Sequence, residues 1–187
     1  MFHLKHLGWK IEELSCLFVC DFYNYGNNSE ALYYETELLG IIGYDVFAKV
    51  TRSSVGLWAY GYTDFPKTVN SSLEKTVENY GEYEKQLRKI RYVPLPDPLS
   101  TQGAIEAINE MEDSEKVLNC LVFLTAQINT KSLPKLNPRN KEMEKIVVVG
   151  LNGTSPKNIL PENGAMATVP YYFTEKDINN VVNLIIG

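Results

Sequence analysis

Apolar residues in this chain fall into two arrangements. In the first they form short, nearly unbroken runs: Cys16–Cys20, Val55–Tyr62, Val117–Thr125 and Ile146–Leu151. Runs of this length without polar alternation predict strands buried on both faces, as in a parallel sheet covered by helices. In the second they recur every three or four residues, which predicts amphipathic helices. Ala31, Tyr34, Leu38 and Ile41 follow a cap at Asn28-Ser29-Glu30, and this helix is expected to give way near Gly40 and Gly43. Leu73, Val77, Tyr80, Tyr83, Leu87 and Ile90 predict one long helix opened by Ser71 or Ser72 and stopped by the loop that holds Pro94, Pro96 and Pro98. Ser100-Thr101-Gln102-Gly103 starts a further helix burying Ala104, Ile105, Ala107, Ile108 and Met111, and Thr174 caps a terminal one burying Ile178, Val181, Val182 and Ile185.

Strands that alternate with helices call for a doubly wound α/β fold: a mostly parallel central sheet, helices on both faces and right-handed crossovers. One exception is expected. Thr63-Asp64-Phe65-Pro66 reads as a turn and Lys67-Thr68-Val69 as a short antiparallel edge strand. Residues 127–145 are polar and Pro-broken and carry only a weak helix, Ser155-Pro156 is a cap followed by a first-turn proline, and Ala167–Phe173 is a last short strand. The whole is read as one domain over residues 15–187 after an extension of residues 1–14. Parallel sheets of this kind collect ligands at the carboxyl ends of their strands. Asp21 sits at such an end, where the first run breaks into the polar loop Phe22-Tyr23-Asn24-Tyr25-Gly26.

Charge narrows the partners. A net charge of −5 gives no electrostatic footprint for nucleic acid, and the charged run Glu82–Arg91 lies on the outer face of a helix. No apolar run approaches the length of a bilayer-spanning helix, so membrane insertion is not expected. Residues 1–10 carry neither a continuous apolar stretch nor a small-residue cleavage site, so no signal peptide is evident. Asn27, Asn70 and Asn152 each begin a glycosylation sequon, which matters only for a secreted chain. Three cysteines, Cys16, Cys20 and Cys120, leave at least one thiol unpaired. Cys16 and Cys20 do not form a zinc pair, because four residues of strand separate them by about 13 Å.

Signals for catalysis are thin. The two histidines, His3 and His6, lie outside the predicted core. Gly150-Leu151-Asn152-Gly153 is too short for a dinucleotide fingerprint and follows a late strand. The chain therefore reads as a non-enzyme, with a small α/β enzyme as the remaining alternative.

Several strings, in their order, resemble a von Willebrand factor type A domain. Val55-Gly56-Leu57-Trp58-Ala59-Tyr60 is similar to that family's second strand, Leu99-Ser100-Thr101-Gln102-Gly103-Ala104-Ile105 to its Thr-rich loop and following helix, and Val122-Phe123-Leu124-Thr125 and Ile146–Gly150 to its fourth and fifth strands. The resemblance spans residues 15–186. It implies a non-catalytic binding or adhesion module that engages a protein or glycan through the loops above Asp21, and it favours an extracellular glycoprotein. Many members hold a divalent ion at an adhesion site built from Asp-x-Ser-x-Ser, a Thr and a second Asp. By resemblance Asp21 matches the first Asp, Tyr23 and Tyr25 replace the two Ser, Ser100 stands for the Thr and Ala126 for the last Asp.

The site so implied is degenerate. Asp21 and Ser100 alone would leave most of the shell of Mg²⁺ as water, so no cofactor is expected. Dependence on Mg²⁺ or Mn²⁺ through Asp21 and Ser100 is the alternative. The five positions are expected to converge at one end of the sheet. The same alignment puts Cys16 and Cys120 close together on neighbouring strands, where an oxidising compartment would allow a disulfide. The aromatic residues Phe22, Tyr23, Tyr25, Tyr62 and Phe65 fit either local packing or a contact surface.

Overall fold

A computed structural model describes residues 13–65, 68–111 and 117–187. Its strands are β1 (Glu13–Phe22), β2 (Arg52–Gly61), β3 (Cys120–Thr125), β4 (Lys145–Leu151) and β5 (Ala165–Val169). Its helices are α1 (Ser29–Lys49), α2 (Val69–Leu73), α3 (Tyr80–Leu87), α4 (Thr101–Asn109) and α5 (Glu175–Ile186), with a 3-10 turn at Lys157–Ile159. The five strands form one sheet in the order β2-β1-β3-β4-β5, and every pairing is parallel. The predicted doubly wound α/β architecture is therefore present. His3 and His6, with most of the expected N-terminal extension, lie outside the described residues.

Because side chains alternate across a strand, β1 serves both cores. Cys16, Phe18, Cys20 and Phe22 face the layer made by α1, α3 and α5, whereas Leu17 and Val19 face α2 and α4. Burial on both faces is what an unbroken apolar run encodes. β1 occupies the middle of the sheet between β2 and β3. The loop after Asp21 thus opens where the crossovers diverge to opposite sides.

Four expectations are corrected. The described residues of the expected antiparallel edge strand Lys67-Thr68-Val69 do not form one: Lys67 lies outside the described residues, Thr68 caps α2, its hydroxyl accepting from Ser71 N, and Val69 begins the helix. The antiparallel element is instead a single bridge, Val55 with Val77. That bridge also splits the expected long helix, since Val77 N–H donates to Val55 O at 3.0 Å and the chain cannot be helical there, leaving α2 and α3. α1 does not yield at Gly40 and Gly43 but runs to Lys49, and Ile41, assigned to its apolar stripe, is exposed while Ile42 is buried. Finally, residues 127–144 carry no helix; Leu136 is buried and its N–H donates to Ile159 O at 2.9 Å, so this segment is held by scattered anchors.

Gly43 explains the continuity of α1. A Cβ there would overlap the ring of Tyr83, which is fully buried and donates its hydroxyl to Leu39 O at 2.9 Å. The glycine is a seat for α3 against α1. Its cost in helix propensity, about 1 kcal/mol, is offset by that contact.

Cys16 and Cys120 stand opposite each other in register, with Cα atoms 4.3 Å apart and sulfurs joined in a disulfide. Cys20 is a buried free thiol.

Gly43→Ala is expected to destabilise the fold by about 1–3 kcal/mol in urea denaturation, because overpacking outweighs the propensity gain. A higher midpoint would contradict the seat. For the cysteines, alkylation of denatured protein from an oxidising compartment is expected to label one thiol without reductant and three with it, as counted by intact mass. Three labels without reductant would exclude the bond.

Candidate functional site at the carboxyl end of the sheet

Asp21 is buried at the end of β1, and its carboxylate takes hydrogen bonds from every side. Oδ1 accepts from Tyr23 N at 3.0 Å and Asn24 N at 2.9 Å, which curls the loop back on itself as an Asx turn. Oδ2 accepts from Asn24 Nδ2 at 2.6 Å, Ala126 N at 2.7 Å and Thr125 Oγ1 at 3.3 Å. A carboxylate offers about four lone-pair sites, so these donors saturate it. One side chain thereby ties the β1 loop to the end of β3.

Asn24 extends the tie to α4. Its Nδ2 also donates to Thr101 Oγ1 at 2.9 Å, and Thr101 in turn donates to Gln127 Oε1 at 3.3 Å. Thr101 is buried, and Tyr60 lies opposite Asp21 across the β1–β2 register. Burial, and then the Asp21 charge, push the Tyr60 phenol well above its ordinary range.

Beneath this cluster lies a second acid. Glu35 occupies the buried face of α1, and its Oε1 accepts from Asp21 N–H. Its Oε2 has no partner among the described residues. Burial, and then the Asp21 carboxylate, push the Glu35 carboxyl well above the usual range, against which the Asp21 N–H bond acts only in part. The upward shift disfavours a second charge in a dry site. The same two causes, burial first and then the two acids, raise the Cys20 thiol and the Tyr25 phenol.

The five family-aligned positions all lie at this end of the sheet, Asp21 in the last residues of β1 and the others on loops or at a helix cap, yet their side chains do different work. Asp21 is the hub and Ala126 contributes its backbone N–H. Tyr23 and Tyr25 part company: Tyr23 packs on the α2/α4 core and stacks on Tyr62 with ring centroids 6.2 Å apart, while Tyr25 packs on the α1/α5 core. Ser100 is turned to its helix, its Oγ accepting from Gly103 N at 3.1 Å as the cap of α4. Thr101, one residue later, supplies the hydroxyl that joins the cluster. Of the aromatic group, Phe22 is core and Phe65 packs on core, whereas Tyr62 links Tyr23 to Tyr92 at 5.7 Å in a half-exposed stack.

Reading the sequence for this site missed Asn24, Thr101, Thr125, Gln127, Glu35 and Tyr60. Glu35 carried a signal, since a lone acid stands at a buried position between Ala31 and Leu38. Asn24 carried a weaker one, as an Asx-type residue three beyond an aspartate.

Beside the cluster runs a groove of about 390 Å³ lined by Asn24, Tyr25, Ala126, Ile128, Asn152 and Ser155, among others. Its far wall is a tight turn in which Asn152 and Gly153 take φ of 51° and 74° and Thr154 N donates to Leu151 O at 2.9 Å. Gly150 makes room for it, because a Cβ there would collide with Thr154 O. No charged side chain lines the groove among the described residues.

These residues do not fit a hard divalent ion. Such an ion wants six or more oxygens, including water, at short distance. Asp21 has no lone pair free, Ser100 is spent on its helix, Ala126 offers no side-chain oxygen, and the two tyrosine rings point to opposite faces. Among the described residues no three His, Cys, Asp or Glu side chains are grouped as metal ligands.

Because the folded state keeps Glu35 protonated above the pKa of an unfolded glutamate, about 4.3, its contribution to stability is complete below that pH and is lost as pH rises through the folded value. Glu35→Gln keeps an oxygen for Asp21 N–H and cannot ionise. In urea titrations from pH 4 to 8 the variant is expected to gain on the wild type as pH rises. A variant that loses ground toward pH 8 would show that Glu35 is charged in the fold.

No family model and no curated protein matches the sequence. Solved structures do resemble the fold. Proximal thread matrix protein 1 from the mussel byssus superposes with a TM-score of 0.58 at 11% identity over 93% of this chain and 46% of that one. The present chain thus spans about half the length of the mussel protein. A further structure of that protein, with a zinc-occupied MIDAS motif, gives a TM-score of 0.54 at 14% identity, covering 92% of this chain and 45% of that chain. The SpRpn10 VWA domain gives 0.52 at 10% identity, covering 94% of this chain and 98% of that domain. On strand order and on these neighbours alike, the chain has a von Willebrand factor type A-like fold.

Proposed function

We propose that this domain is a non-catalytic binding module that engages a protein partner through the loops at the carboxyl end of its sheet, without a bridging metal ion. The observation that carries the reading is the groove beside Asp21. It lies at the topological switch point, is lined by neutral amides, hydroxyls and Tyr25, and is flanked by Ile128, whose surface is 93% exposed. A large aliphatic side chain at the lip of a neutral groove is suited to anchor a protein surface. Against catalysis stands the placement of the two acids: Asp21 is saturated by internal donors and Glu35 is buried beneath it, so neither side chain faces a ligand.

A glycan is the second reading, favoured by the donors and acceptors of Asn152 and Ser155 and the amide oxygen of Asn24 around the Tyr25 ring. An extracellular, glycosylated adhesion role belongs to the proposal as well. The Cys16–Cys120 disulfide suits an oxidising compartment, and Asn27, Asn70 and Asn152 are all exposed.

Asp21→Ala is a poor probe because it strands buried donors and threatens the fold. Ile128→Asp touches only the exposed lip. Capture of secreted proteins and of a glycan array by immobilised domain is expected to give a protein ligand that is held equally in chelator and lost at least tenfold with Ile128→Asp. Capture abolished by chelator would favour the metal-dependent alternative, and a glycan ligand indifferent to Ile128 would favour the second reading.

A further inference from the structure

The Asn24 carboxamide occupies a peculiar place. One of its N–H groups meets Asp21 Oδ2 at 2.6 Å and the other meets Thr101 Oγ1 at 2.9 Å. It bridges a buried carboxylate on the β1 loop and a buried hydroxyl at the start of α4. The opposite amide orientation would set a carbonyl oxygen against the carboxylate, so the hydrogen-bond pattern fixes the nitrogen inward. Thr101 passes the tie on to Gln127, and Asp21 passes it to Ala126 N, so three loops meet around one nitrogen. An N–H donor pair with partial positive charge does for these oxygens what a cation would do, at lengths beyond the 2.0–2.1 Å or so of a Mg²⁺–oxygen bond.

We propose that Asn24 is a built-in amide counterpart of a metal ion: its nitrogen fills a cation position between Asp21 Oδ2 and Thr101 Oγ1, with Gln127 Oε1 behind Thr101, and so closes a site that a change at this one residue opens. The inference names the residue responsible for the cation-free character of the proposed function and rests on that part of it. Tyr23 and Tyr25 do not make the bridge, because their rings pack on opposite cores.

Asn24→Asp converts the bridge from donor to acceptor. Two carboxylates then face each other beside the Thr101 hydroxyl and the Gln127 amide oxygen, an arrangement that repels itself when metal-free and suits a hard cation. The test is thermal unfolding of wild type, Asn24→Asp and Asn24→Ser, each in chelator and in saturating MnCl₂. Wild type is expected to melt at the same temperature in both. Asn24→Asp is expected to melt lower than wild type in chelator and to rise by about 5 °C or more with Mn²⁺, since a ligand at a hundred times its Kd stabilises by an amount worth that shift in a domain of this size. Asn24→Ser, which vacates the position without adding charge, is the second variant should Asn24→Asp fail to fold. It is expected to melt lower in chelator and to regain less in Mn²⁺ than Asn24→Asp, because four internal donors still meet Asp21. Adding Asp21→Asn to either variant is expected to remove the Mn²⁺ response. Variants that fold and show no Mn²⁺ response, or a wild type that shows an equal one, would overturn the proposal. Because the readout is stability and not capture, failure here is distinct from failure to find a protein partner.

Discussion

A charged carboxylate placed in a dry interior must be met by donors, and Asp21 is the place where this chain meets that requirement. Its neighbours on β1 are fully apolar, so solvent offers it nothing, and an unpaired buried charge would cost several kcal/mol. The surrounding loops supply what is missing: backbone N–H groups of Tyr23, Asn24 and Ala126, the Thr125 hydroxyl and the Asn24 amide. Each donor fixes the segment that carries it. The β1 loop, the end of β3 and the first turn of α4 are therefore rigidly related at the end of the sheet, and the adjoining groove has defined walls.

The same requirement governs the second acid. With Asp21 satisfied by donors, a further charge a few ångströms away on α1 would have none left, and Glu35 responds by holding its proton. It still orients the site, because its Oε1 takes the Asp21 N–H. Two acids of one cluster thus differ in role, one as a saturated acceptor and one as a buried support whose carboxyl is pushed above the usual range. The neutral groove and Ile128 face outward beside these two acids.

Much of the architecture was legible because burial on two faces writes itself into β1 and β4 as unbroken apolar runs, and because caps such as Ser100 and Thr174 mark helix starts directly. The failures came where tertiary contacts override local pattern. Gly40 and Gly43 read as a helix end, yet the absence of a side chain at Gly43 is what lets Tyr83 pack. Val77 continued a helical period, yet its backbone pairs with Val55 from 22 residues earlier in sequence. The site shows the same division. Asp21 stood out at the end of a strand, whereas Asn24 and Thr101 gain their roles only from meeting across 77 positions of chain, which no local spacing records. Ser100 was singled out by alignment, but the helix claimed its hydroxyl and passed the role to its neighbour.

Internal donors, with Asn24 foremost, are proposed to take the place of a metal ion at Asp21. Calorimetric titration of the unmodified domain with Mg²⁺ and Mn²⁺ tests this most directly. No binding tighter than about millimolar is expected, since a cation would have to displace the Asn24 amide and find most of its shell in water. Micromolar binding that disappears in Asp21→Asn would contradict it.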